Sequence, residues 1–308
     1  MIGRYQRELS VAAAYAILLG TLAVAAPSFF RDQFRASFVS AAPVLVMAVG
    51  MTLVILCRQI DISVGSQFSI CGVAAGLAAK AGLPMPAVAA VTLAAGGLMG
   101  AVNGLFVAAL GLPSIVVTLA TMVTLREGLR WVREGEFVSD LPAGFQWFGA
   151  SQESGQRLIM VISLIVFLAF AWGLRYLAAG RAVYATGSDP EAARLAGIRP
   201  RAVTFGVFVI MGALAGLAAL LNGVRSPQVD PNAGAGRELQ VIAAVVVGGT
   251  AISGGRGTLV GTLIGVALLG TIGPALVFLG AQPQWEKAFQ GAIILAAVAS
   301  DALNRRPR

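Results

Sequence analysis

An all-α, polytopic membrane fold with about ten crossings is predicted by three observations. Only 12% of the 308 residues are charged, against about a quarter in soluble domains, too few to coat a water-facing surface. Several unbroken apolar runs reach the ~20 residues that cross a hydrocarbon core, and the mean hydropathy is +0.83. The charges sit at the ends of those runs and divide unequally between the two sides. A β-barrel would instead show alternating segments of ~10 residues; these runs are apolar throughout.

The N-terminal MIGRYQRELSVAAAYAILLGTLAVAAP has the look of a signal peptide. Its apolar part is too long for one and no small-residue cleavage site closes it, so it reads as the first span, 9–28. Further spans are expected at 38–57, 62–80, 85–110, 113–132, 158–178, 202–222, 239–254, 258–280 and 288–303. The second and third are parted by the charged break Arg58–Asp61, and the eighth is short. With the N-terminus inside, cytoplasmic segments hold twelve basic and five acidic residues, and outer segments eight of each. This excess of inner positive charge places both termini in the cytoplasm. The whole chain, 1–308, then forms one transmembrane domain with a long outer loop at 133–157. Glycines recur every fourth position (Gly72 and Gly76; Gly96, Gly100 and Gly104; Gly212 and Gly216; Gly257, Gly261 and Gly265). That spacing predicts close helix–helix contacts.

Several function classes fall away. The net charge of +8 is scattered along span ends, unlike the basic face of a nucleic-acid binder. There is no histidine, which removes imidazole acid–base chemistry and most zinc sites. Cys57 and Cys71 lie in apolar runs and read as packing residues. Neither lysine follows a glycine-rich loop, so a phosphate-binding loop cannot be drawn. GGRGTLVG (254–261) narrowly misses a dinucleotide fingerprint and reads as a tight turn between spans. No carboxylate pair sits at helical spacing within a span. A permeation role gains by this exclusion.

One soluble-looking stretch remains, DPEAARLAGIRP at 189–200. Asp189 suits an N-cap, Pro190 the first turn and Glu191 the positive helix end. Ala192, Ala193, Arg194, Leu195 and Ala196 propagate a helix that Gly197 and Pro200 end. The result is a helix of about two turns, at 189–198, on the cytoplasmic side.

The E-A-A with Gly197 four positions after Ala193 resembles the cytoplasmic loop of ABC importer permeases. GMTLVILCRQIDISVGS (50–66), GLPSIVVTLATM (111–122) and ELQVIAAVVVGGTAISGGRGTLVGTLIG (238–265) are similar to signatures of that family's ribose-transporter branch, with Gln59 where the branch has glycine. The resemblance implies a transport subunit of the bacterial inner membrane, not an enzyme and with no cofactor of its own. ATP and magnesium would reside on a separate ATPase that docks at Asp189, Glu191, Ala192, Ala193, Arg194 and Gly197. Implied partners are a second permease copy or paralogue, a periplasmic sugar-binding protein and the lipid bilayer, with no nucleic acid. The substrate would be a monosaccharide or similar small polyol. REGEFVSDLPAGFQWFG looks like rhamnose- or autoinducer-2-type permeases more than ribose or xylose ones.

Polar residues inside a membrane are functional candidates by default. Asp61, spaced to pair with Arg58 on a helix, Ser63, Ser66, Asn103, Thr118, Thr121 and Asn222 are the candidates for the substrate path. Whether residues 58–66 form a cytoplasmic turn or an intramembrane break stays open at this point. Arg130, Arg133, Arg225 and Arg237 are candidate docking charges for the binding protein. The alternative is an ion- or proton-coupled secondary transporter, for which Asp61 and Glu127 are the only plausible carboxylates.

Overall fold

A computed structural model describes residues 2–282, 284–288, 291, 292 and 295, with side chains from residue 8 onward. The described helices are α1 (Ile2–Ala25), α2 (Ser28–Asp32), α3 (Phe34–Leu56), α4 (Val64–Lys80), α5 (Met85–Gly104), α6 (Ser114–Arg133), α7 (Gln152–Tyr176), α8 (Ala178–Ser188), α9 (Pro190–Leu195), α10 (Pro200–Gly223), α11 (Arg237–Val247) and α12 (Leu259–Phe278). A π-helical turn, Leu105–Ala109, prolongs α5. Among the described residues the one extended pairing is an isolated bridge between Val138 and Val229.

Six of these helices are long and apolar enough to cross a membrane: α1, α3, α5 with its π turn, α7, α10 and α12. Helices α4 and α6 occupy two more of the expected spans, α4 shorter at 17 residues and α6 carrying Arg126, Glu127, Arg130 and Arg133. The tenth expected span, 288–303, lies mostly outside the described residues. The most enclosed helix is α3, while α1 and α7 line the periphery and leave most of their apolar surface uncovered. That surface suits lipid or another chain, and the protein is an integral membrane protein.

Glycine sets the tightest crossing. A Cβ on Gly96 would run into the carbonyl of Gly212, one on Gly212 into that of Gly96, and one on Gly100 into that of Phe208. Backbones of α5 and α10 therefore touch, as the four-residue spacing predicts. Gly261 and Gly265 of α12 meet Gly248 and Ala244 in the same way.

The bundle has two ends. At the first, the Gly255 N–H donates to the Leu56 carbonyl (2.9 Å) and the Tyr184 hydroxyl to the Gly257 carbonyl (2.9 Å). The Thr258 hydroxyl bonds Glu8 there. At the second, Lys80 Nζ lies 3.5 Å from Asp140 and Arg35 3.8 Å from Glu153. The Trp147 N–H reaches the Val224 carbonyl (2.7 Å), and Phe145 is fully buried beside Gly223. The 134–151 segment is thus a folded cap on the second end.

The eighth expected span is corrected. Only 237–247 is helical, about 16 Å at 1.5 Å per residue, roughly half of a hydrocarbon core. The rest is made by RSPQVDPNAGAG (225–236), which descends from the second end along α4. Val229 packs against Gly76 and Gly72, and Gly234 against Gly65 and Ser69, about 10 Å deeper by helical rise. Irregular backbone at such depth is tolerated only where protein or a polar cavity surrounds it. Bare glycines on α4 leave room for it, and the Gly234 N–H is satisfied by Ser69 Oγ at 3.0 Å. Arg237 and Glu238, placed in an outer segment by the span limits, lie inside the bundle instead.

Candidate functional site

Helix α9 forms where the sequence says it should. The Asp189 side chain accepts from the Glu191 and Ala192 N–H groups at 3.0 and 3.1 Å. At the other end the Ile198 N–H reaches the Ala193 carbonyl and the Gly197 N–H that of Arg194, both at 3.0 Å. Gly197 has φ +81°. This is a Schellman motif, whose left-handed residue suits glycine. Six residues do not hold a helix in water on their own, so caps and mounting must. Ala193 is the buried contact, while Glu191, Arg194 and Leu195 stand out from the surface, Leu195 at 86% exposure. Arg194 pairs with Glu191 at 3.2 Å.

The mounting is α8, a helix that the sequence reading folds into a loop. Gly187, two residues before the α9 cap, sits flat against the Leu56 carbonyl and the Gly255 N–H; a Cβ there would strike both. Arg58 reaches from the end of α3 to the Ser188 carbonyl. Three pieces therefore meet under α9: the end of α3, the end of α8 and the 249–258 turn joining α11 to α12.

The expected Arg58–Asp61 pair does not form. The helix ends at Leu56, Arg58 takes a left-handed φ of +62°, and its side chain turns toward α8. Gln59 stays outside the left-handed region, so its place in the signature does not demand glycine. Asp61 instead anchors a sealed polar knot. Its carboxylate accepts from the Ser63 N–H (2.9 Å), the Ser63 hydroxyl (2.6 Å) and Gln67 Nε2 (3.1 Å). Ser63 Oγ in turn accepts from Gln67 Nε2 (2.7 Å) and Asn103 Nδ2 (2.8 Å). One donated and two accepted bonds exhaust a hydroxyl. Asp61, Ser63, Gln67 and Asn103 have no exposed surface.

The backbone freed by the break is satisfied from α6, as a buried chain requires. Ile60 N–H donates to Ser114 Oγ (3.2 Å) and Ile62 N–H to Thr118 Oγ1 (3.1 Å). Of the residues expected along a substrate path, Asp61, Ser63, Asn103 and Thr118 are thus brought together but turned on one another. Thr121 bonds its own helix at the Val117 carbonyl (2.9 Å), Ser66 reaches the Met122 carbonyl (2.9 Å), and Asn222 lies apart, at the end of α10.

Of the expected docking arginines, Arg130 pairs with Glu127 at 3.4 Å, Arg133 bonds the Glu136 and Phe137 carbonyls, and Arg225 reaches Ser40 Oγ at 2.8 Å, all at the second end. Arg237 stands at the start of α11 with its guanidinium 5.7 Å from the Phe68 ring centre, away from that surface. Sequence reasoning misses the pair Arg126–Glu238 (3.1 Å), in which Glu238 is nearly buried. A lone acid at a span edge was the available signal. Gln67, four residues after Ser63, was legible from helical spacing.

Over residues 34–298 the sequence matches the family described as branched-chain amino acid transport system permease component. The chain belongs to this family. Among curated proteins the permease is 37% identical over 295 residues to the ribose import permease protein RbsC of Escherichia coli (92% of this chain, 90% of that one). It is 33% identical over 296 residues to the autoinducer 2 import system permease protein LsrC of Photorhabdus luminescens (96% and 89%). Against LsrC of Salmonella typhimurium it is 34% identical over 264 residues (86% and 76%). No solved structure matches.

Proposed function

We propose that this chain is the membrane subunit of an ATP-driven, binding-protein-dependent importer for a monosaccharide or similar small polyol. It sits in the bacterial inner membrane with about ten crossings and both termini cytoplasmic. It works as a dimer, with a second copy or a similar permease, and binds no cofactor itself. An ATPase subunit carrying ATP and magnesium docks on Asp189–Gly197. A periplasmic binding protein delivers substrate to the second end, where Arg130, Arg133 and Arg225 offer charge.

The observation that carries the reading is α9: a helix too short to persist alone, capped at both ends, rigidly mounted, and presenting Glu191 and Leu195 outward. A stretch so constrained and yet so exposed suits a rigid contact to a partner. Mounting it on the ends of α3 and α11 gives that partner leverage on the bundle. The membrane subunit does no covalent chemistry; it holds two conformations whose balance the partners bias. Kinship with import permeases for ribose and autoinducer 2 supports the substrate class.

Glu191→Lys tests it. The variant is expected to reach the membrane, lose co-purification with the ATPase and lose uptake. Normal uptake would overturn the reading. ATP depletion is expected to stop transport while collapse of the proton gradient spares it; the opposite pattern identifies an ion-coupled secondary transporter.

A further inference from the structure

We propose that an uncharged, monosaccharide-sized polyol binds in the cavity where the chain breaks ahead of α11, held by Ser66, Ser69, Arg126 and Asn232. The idea rests on the importer reading and adds where within this chain the sugar pauses.

The cavity has a volume of about 270 Å³, just below the ~300–1,000 Å³ typical for drug-sized ligands. Its floor is Gly65 and Gly234, where α4 and the descending segment touch; Arg130 and Glu134 stand at its mouth, toward the second end. A smaller cavity of about 60 Å³, lined by Phe68 and Asn222, shares Ser69 with it. The two follow the irregular segment along α4, so the path and the break coincide. This is where Asn222 and Ser66, set aside by the sealed knot at Asp61, reappear.

The wall is balanced in charge. Arg126 is paired with Glu238 at 3.1 Å and Arg130 with Glu127 at 3.4 Å, and Glu134 adds an acid. A free phosphate or carboxylate would meet no uncompensated cation. The wall is rich in unused hydrogen-bonding capacity of both kinds, which hydroxyls need. Arg126 has five N–H donors and spends one on Glu238. Ser69 Oγ accepts from Gly234, leaving its proton; Ser66 Oγ donates to Met122, leaving lone pairs. The Asn232 side-chain amide bonds nothing among the described residues. Glu238 Oε2, buried against Gly65 behind the wall, has no hydrogen-bond partner among the described residues either.

The test uses the full chain assembled with its ATPase and carrying Asn232→Cys. Cys57 and Cys71 are buried, so a maleimide reads the introduced thiol. Labelling is timed with D-ribose, D-xylose, L-rhamnose or inorganic phosphate. At about ten times its Kd, one of the sugars is expected to slow labelling about tenfold by occupancy, and phosphate to leave it unchanged. Adding Ser66→Ala is expected to raise the protecting concentration about fivefold, the worth of one neutral hydrogen bond. Ala235→Cys, on the same wall, is the second reporter should Asn232→Cys fail to assemble. Protection by no sugar overturns the site, even where uptake shows the importer reading to stand. Protection by phosphate overturns the uncharged class. Protection by a sugar whose uptake follows the proton gradient keeps the site and removes the ATP-driven reading.

Discussion

Gly187 is the point at which α9 is fastened to the rest of the chain, and its replacement by alanine is the sharpest mechanical perturbation available. The added methyl would strike the Leu56 carbonyl and the Gly255 N–H, which are themselves hydrogen-bonded at 2.9 Å. Losing that bond costs about 1 kcal/mol and wedging a methylene into packed backbone about 1–3 kcal/mol. A total of about 2–4 kcal/mol moves the seated-to-unseated balance of α8 by roughly 30- to 700-fold, at 1.4 kcal/mol per tenfold. The α5–α10 crossing and the α9 caps are untouched, so the variant is expected to insert and to retain the ATPase. In proteoliposomes the importer assembled from this variant and its ATPase should hydrolyse ATP while importing little, raising ATP consumed per sugar at least about tenfold, within the range that shift allows. Gly206→Ala is the control, since a Cβ there meets nothing within 4 Å. Unaltered coupling in Gly187→Ala would refute the claim that α9 acts through this contact.

Two further outcomes follow from packing. Gly212→Val drives a side chain into the Gly96 carbonyl and is expected to collapse the yield of monodisperse protein, whereas Gly128→Val, facing open space, is expected to leave it unchanged; size-exclusion profiles decide. Asp61→Ala strips the acceptor from the Ser63 and Gln67 donors and is expected to destabilise the chain by about 3 kcal/mol or more, at 1–3 kcal/mol per orphaned buried donor, read as a fall in Tm; an unchanged Tm would show that the knot is not structural.

The sequence makes the apolar runs legible because hydrophobic length is a local property, and most observed helices begin and end within a few residues of the expected spans. Helix α9 is legible in full, since Asp189, Pro190 and Gly197 act through neighbours one to four residues away. The break before α11 is not. RSPQVDPNAGAG has the composition of a surface loop, and what allows it inside is a row of glycines on α4 more than 150 residues earlier in the chain. Arg126 and Glu238 meet across 112 residues for the same reason. The four-residue spacing of Ser63 and Gln67 is a signal the sequence reading leaves unused, and which of Asp61, Asn103 and Thr118 face a passage and which face one another is decided by tertiary packing.

The orientation of α9 carries the whole account. A chain bearing Arg194→Cys, with its two native thiols buried, can be exposed to a membrane-impermeant maleimide in intact cells and in inverted vesicles. The account predicts labelling in the vesicles and none in the cells; labelling of intact cells would set α9 on the outer surface, out of reach of any ATPase, and contradict it.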